Sequence, residues 1–189
     1  MNGNKTWQRN LLTSAVTAAM LFGGAFANAT PVQGEIGATS EGSLDVTILV
    51  PDLVLVNSLD DVTLTYDPGA GDVVATEDFC IWSTPGITYD ITFTSANGGG
   101  DFLALGGGGS DVEYLVAFAS DSGSSSFEAV TEGTALDNGG AGYSANTAAT
   151  PGCTNPNVSL QITAPETGNL DAAGADSYVD TLTLLVQPN

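Results

Sequence analysis

Two cysteines, Cys80 and Cys153, and a field of 22 aspartates and glutamates are the main reactive side chains of this 189-residue chain. It has no histidine, and its only basic residues, Lys5 and Arg9, stand near the N-terminus. Ser-His-Asp, Cys-His and Ser-Lys arrangements need a base that residues 30–189 do not contain. Paired carboxylates can cleave glycosides, but so many acids spread along the chain read better as a solvated surface. The glycine-rich run "SANGGGDFLALGGGGSD" lacks the lysine and helix of a phosphate loop, and its aspartates repel phosphate. Asp60-Asp61 could touch Ca²⁺, yet no Asp-x-Asp-x-Asp-Gly spacing surrounds it. The triplet at Asn157 matches a glycosylation acceptor but falls inside a strand-like run. These residues point to a chain that is not an enzyme and holds no cofactor and no metal.

The cysteines fit a different chemistry. An even number in an exported protein reads as one disulfide, Cys80 to Cys153. The competing metal site has no histidine and no Cys-x-x-Cys spacing to complete it. Export itself is read from the first 29 residues. Lys5 and Arg9 form a basic start, "LLTSAVTAAMLFGGAFA" an apolar stretch, and Ala27-Asn28-Ala29 a small-x-small cleavage site, which places the cut before Thr30. What remains carries 22 acids and no lysine or arginine. Such a surface repels phosphate backbones and anionic headgroups, so nucleic acid is not a partner. A saline habitat, where screening shortens self-repulsion, and a merely soluble, non-sticky surface both account for it.

The elements that position these groups are strands. Twenty-four glycines, a charged fraction of 13% and a near absence of lysine, arginine and glutamine disfavour helices. Runs such as "DDVTLTYD", "EDFCIWS", "ITYDITFTS", "DFLALG", "VEYLVAFAS", "SFEAVTE", "NVSLQITA" and "YVDTLTLLV" alternate with glycine, proline and asparagine turns, the pattern of an all-β sandwich. The expected organisation is a leader over 1–29, an extension over 30–50 and one domain over 51–189.

The two ends of that organisation are its most informative parts. In "SLDVTILV" the side chains of Leu44, Val46, Ile48 and Val50 share one face, and Pro51 then ends any ladder because it has no N–H. In the last run Leu182, Leu184 and Val186 share a face with no strand following to cover them. A sandwich that ends so presents an apolar groove and an open edge, which a neighbour's Leu44–Val50 segment could fill. The alternative is a plain hairpin in which Leu44–Val50 folds back on Leu53–Val56 through Pro51 and Asp52.

The order "DVTILVPDLVLVNSLDDVTL", "FCIWS", "YDITFTS", Cys153, "NVSLQITAP" and "YVDTLTLLVQPN" resembles pilin subunits of the bacterial chaperone–usher pathway, in particular its archaic and alternative branches. The resemblance implies an immunoglobulin-like β-sandwich lacking its final strand. In that family a periplasmic chaperone first fills the groove, and the N-terminal extension of a neighbouring pilin replaces it at an outer-membrane usher. By this resemblance the donor strand carries Leu44, Val46, Ile48 and Val50, the acceptor groove is lined by the first and last strands with Leu182, Leu184 and Val186, and the disulfide joins Cys80 and Cys153. The implied protein is a shaft subunit of a surface fimbria serving adhesion or biofilm formation. Many pilins have a glycine upstream of the last strand and a penultimate tyrosine where this chain has Asp176 and Pro188. The other readings are a self-contained secreted sandwich binding a glycan or Ca²⁺, and an outer-coat protein of the spore-coat-U type.

Overall fold

The computed structural model describes residues 31–108 and 110–189, so the leader over 1–29 and Thr30 lie outside the described residues. The chain divides into a unit ending at Leu49 and a unit spanning Val50–Asn189. In the first, Val32 and Ser43 exchange two backbone hydrogen bonds of 3.0 and 2.9 Å, and residues 44–49 belong to no strand. The extension over 30–50 therefore carries one isolated bridge among its described residues.

Among its described residues the second unit holds twelve strands: β1 (Val54–Asn57), β2 (Val73–Ser83), β3 (Thr88–Ser95), β4 (Leu103–Gly106), β5 (Asp111–Glu113), β6 (Leu115–Ala119), β7 (Glu128–Ala129), β8 (Ala135–Leu136), β9 (Tyr143–Ser144), β10 (Val158–Ala164), β11 (Tyr178–Val179) and β12 (Leu182–Pro188). Every ladder between them is antiparallel. One sheet runs β1-β2-β10-β6-β7, a second β12-β3-β8 with β9 also on β3, and a small third β11-β4-β5. The helical content described is one irregular turn, Glu166–Leu170, broken by extended Thr167 and by Gly168 at φ 73°.

Alternation explains why these segments pair as they do. Along β3, Tyr89, Ile91 and Phe93 are fully buried while Asp90, Thr92 and Thr94 face away, the period of two that places one face of a strand on a core. They pack with Phe79 and Ile81 of β2, Val116 and Phe118 of β6, and Val158 and Leu160 of β10. The Phe93 and Phe118 rings, one from each large sheet, lie 6.0 Å apart, and Tyr143 meets Phe118 edge-on at 5.4 Å. Burying each such side chain contributes roughly 1.5–3 kcal/mol. Two antiparallel sheets face to face around this layer form an immunoglobulin-like sandwich. The order β1-β2-β10-β6 corresponds to A-B-E-D of that fold, and the pair β3-β12 corresponds to C-F.

Cys80 and Cys153 form the disulfide, with Cα atoms 5.9 Å apart. It fastens the loop before β10 to the outer side of β2. The same loop is held by Trp82 Nε1 donating to the Ala148 carbonyl at 2.8 Å, and by Asn157, which accepts from the Ile81 N–H at 2.9 Å and donates to its carbonyl at 3.0 Å.

With no lysine or arginine after Arg9, carboxylates hold loops by accepting hydrogen bonds rather than by pairing with cations. Glu166 takes the Tyr66 hydroxyl at 3.0 Å and the N–H groups of Gly69 and Gly71 at 2.6 and 3.0 Å. Those glycines sit at φ 83° and 93°, a region that favours residues without a Cβ. Glu132 likewise accepts from the Gly100 N–H at 3.0 Å, and Asp78 from the Ser159 hydroxyl.

Four expected strands differ. "YVDTLTLLV" is divided at Asp180 and Thr181 into β11, which pairs with β4, and β12, which pairs with β3. "VEYLVAFAS" is two strands, β5 and β6, separated at Tyr114, whose N–H goes to the Phe102 carbonyl at 3.0 Å. "SFEAVTE" shortens to the two residues of β7. "DDVTLTYD" has Val62, Leu64 and Tyr66 half-buried between exposed neighbours, yet its backbone has no ladder among the described residues. Ser58, at φ 62°, interrupts the strand after Asn57 has made the last β1–β2 pair, and beyond it the Asp60 N–H donates to the Glu77 carboxylate of β2 at 3.0 Å rather than to a backbone carbonyl.

Candidate functional site

β12 pairs along its whole length with β3, from Leu182 opposite Ser95 to Pro188 opposite Tyr89. Its other edge has no partner among the described residues. In an immunoglobulin sandwich the strand beyond F is G, and none of the described strands occupies that position. The inward residues next to this edge, Leu182, Leu184 and Val186, are only half-buried although they pack against the core. Val54 and Val56 of β1 are in the same condition, and β1 and β12 approach within 8 Å Cα to Cα. Half-buried apolar side chains beside an open edge are what a missing strand leaves behind.

Both ends of β12 are fixed. At its start, Asp180 accepts hydrogen bonds from the Ser95 hydroxyl at 2.7 Å, the Asn97 N–H at 3.2 Å, the Asn97 amide Nδ2 at 2.9 Å, and the Tyr114 hydroxyl. Burial raises the Asp180 pKa, but these bonds and the Thr181 N–H outweigh it and hold the carboxyl below its ordinary range. At the far end the Asn189 N–H donates to the Thr88 carbonyl, and its Nδ2 to Asp90, both at 2.9 Å. The open edge is thus an ordered feature of the strand.

A folded-state pKa below the unfolded value stabilises above the unfolded carboxylate value of about 3.9 and is lost as pH falls through the folded one. Asp180→Asn is therefore expected to lower the midpoint of thermal unfolding by a few degrees at neutral pH, with the gap from wild type narrowing progressively below about pH 4. A gap that is constant from neutral to acid pH sinks this reading.

The N-terminal residues expected to form the donor face are outside any strand. Leu44, Val46, Ile48 and Val50 are 70–83% exposed, so four apolar side chains in alternate positions stand in water. Residues 44–50 are in no ladder, and β1 is paired with β2.

Two features of the site escaped the sequence. Asp180 is one acid among 22, and only the fold brings Ser95, Asn97 and Tyr114 to it. The run with Val62, Leu64 and Tyr66 reads as an ordinary strand because these residues alternate with exposed neighbours, yet it forms no ladder among the described residues.

Elsewhere, an open depression of about 480 Å³ is lined in part by Ser120, Asp121, Asn138, Tyr143 and Asn157. Its polar groups are largely engaged already: Tyr143 donates to Glu128 at 2.6 Å, Asn138 to the Gly142 carbonyl at 3.1 Å, and Asn157 bonds Ile81. Among the described residues no three Cys, Asp or Glu side chains are grouped as metal ligands.

No protein-family model matches the chain, and no curated protein matches it. Among solved structures, it is similar to the crystal structure of CfaE, the adhesive subunit of the CFA/I fimbria of enterotoxigenic Escherichia coli. The TM-score is 0.35 with 15% identity, over 65% of this chain and 43% of that one, so the chain spans less than half the length of that protein. At this level the likeness carries no weight, and the assignment of an immunoglobulin-like sandwich rests on the ladders and packing described above.

Proposed function

We propose that this chain is a structural subunit of a surface fimbria, built head to tail by donor-strand exchange. In this reading the Leu44–Val50 segment of one subunit becomes the G strand of the next. The observation that carries it is the unpaired outer edge of β12, with Leu182, Leu184 and Val186 half-buried beside it, in a chain whose Leu44, Val46, Ile48 and Val50 are exposed. The mode is β-augmentation: main-chain hydrogen bonds supply the ladder, and alternate side chains fill the groove. Four enclosed apolar side chains at roughly 1.5–3 kcal/mol each are ample to make the joint durable.

Connectivity favours a neighbour as the source of the strand. In the immunoglobulin order the G strand runs antiparallel to F and therefore parallel to A. A parallel return within one chain needs a crossover of about a dozen residues or more. Only Pro51, Asp52 and Leu53 separate Val50 from Val54. Head-to-tail contacts of this kind do not close and so propagate as a filament. An open edge is also an aggregation hazard, so the subunit needs a periplasmic chaperone before it reaches an outer-membrane usher and the cell surface.

Fimbriae sheared from cells and run on a denaturing gel without boiling are expected to give a ladder of multimers that collapses to monomer after heating in strong denaturant. A monomer alone, from cells that export the protein, overturns the proposal and favours a self-contained secreted sandwich.

A further inference from the structure

The exposed leucines on the two segments do not follow the rule that their neighbours obey. The outward face of β12 carries Thr183 and Gln187, and between them Leu185, 53% exposed. Its neighbours across β3 and β8 are Thr92 and Ala135, which offer it no apolar cover. The outward face of the donor segment carries Asp45 and Thr47, then Leu49, 73% exposed. A single exposed leucine is ordinary on any surface. Here one stands on each of the two strands that donor-strand exchange brings side by side.

Resting on that reading, we propose that the donor seats antiparallel to the neighbour's β12 with Leu49 opposite Thr183, so that Leu49 and Leu185 pack diagonally on the outer face and fix the register. In this register Val46, Ile48 and Val50 lie opposite Val186, Leu184 and Leu182, and Leu44 reaches Pro188. All three half-buried wall residues are covered and no charged side chain enters the groove. Diagonal neighbours lie about 7–8 Å apart, within reach of long side chains.

The neighbouring antiparallel registers do worse on both counts. A slide by two residues one way sets Val50 against Asp180, whose carboxylate is committed to Ser95, Asn97 and Tyr114, and moves Leu49 beyond reach of Leu185. A slide the other way brings Leu49 directly opposite Leu185 but leaves Leu182 facing Asp52, beyond the proline that ends the donor. A slide by one residue inverts every side chain. A parallel donor also covers the wall residues, but parallel ladders are slightly weaker per residue, and every ladder described in this protein is antiparallel.

The test scans cysteines across the joint. Exported full-length double variants carry Leu49→Cys with one of Thr181→Cys, Thr183→Cys, Leu185→Cys or Gln187→Cys, while Cys80 and Cys153 remain paired to each other. Directly opposite side chains have Cβ atoms about 4.5–5.5 Å apart, near the span of a disulfide, whereas diagonal ones do not. The expected result is inter-subunit disulfides, read as multimers that survive boiling without reductant, several-fold more abundant with Thr183→Cys than with any other. A maximum at Thr181, Leu185 or Gln187, or equal yields throughout, overturns the register. Where the unboiled ladder persists, donor-strand assembly stands while the register fails. Absence of that ladder from wild-type protein removes both.

Discussion

A chain that begins at Pro51, with the donor segment removed, is expected to be poorly stable alone, and a copy of Ser43–Val50 fused after Asn189 through a short flexible linker is expected to restore a stable monomer. The truncated sandwich keeps its Phe93–Phe118 core and its disulfide. It also keeps the open β12 edge, with Leu182, Leu184 and Val186 half-wet beside it. The fused strand follows β12 directly, so it can fold back as an antiparallel hairpin onto that edge, at the roughly millimolar effective concentration that a short linker provides. It adds a ladder and up to four enclosed apolar side chains, each contributing roughly 1.5–3 kcal/mol before ordering entropy is subtracted. A domain of this size gains about 2–4 °C per kcal/mol, so the fusion is expected to raise the unfolding midpoint by about 10 °C or more. Thermal unfolding with size-exclusion chromatography decides it. If the truncated chain is already a stable monomer and the fusion leaves its midpoint unchanged, the sandwich is complete as encoded and the fimbrial reading fails.

Alternation along the strands was legible because it has a direct physical cause. Tyr89, Ile91 and Phe93 alternate with Asp90, Thr92 and Thr94 because one face of a strand meets a core and the other meets water. The same logic reads Leu182, Leu184 and Val186 as one face. Alternation says which face is apolar, not which strand covers it. The run Asp60–Asp67 has the pattern of a strand and lacks a ladder, and Leu44–Val50 has the pattern and stands in water. In both the alternation is present and no ladder forms among the described residues. Asp180 fails for the opposite reason: nothing local distinguishes it, and its role comes from Ser95, Asn97 and Tyr114, all distant in sequence. The two-residue strands β8 and β9 were equally out of reach, since a stretch of that length has no period to detect.

Ile48→Asp is expected to abolish polymerisation while leaving the subunit folded and able to bind its chaperone. Ile48 is 83% exposed in the free chain, so the change removes no packing from the subunit's own core. In the joint its side chain enters the apolar row beside Leu184. A carboxylate there must leave water with no cation to meet it, because the sequence from residue 10 onward contains no lysine or arginine. Burying such a group unpaired costs several kcal/mol or forces it to take up a proton. At about 1.4 kcal/mol per tenfold, affinity is expected to fall by roughly 100-fold or more. The chaperone is spared because, in this assembly scheme, it contacts the groove and not the donor. Thr47→Asp adds the same charge one residue away, on the face turned to solvent, and is expected to polymerise nearly as wild type. The pair therefore separates burial from net charge on an already acidic subunit. Gel ladders of unboiled fimbriae, with co-purification of chaperone and subunit, give the readout. Normal filaments from Ile48→Asp place that side chain outside any groove and end the donor-strand reading, whereas equal loss in both variants assigns the effect to charge repulsion instead.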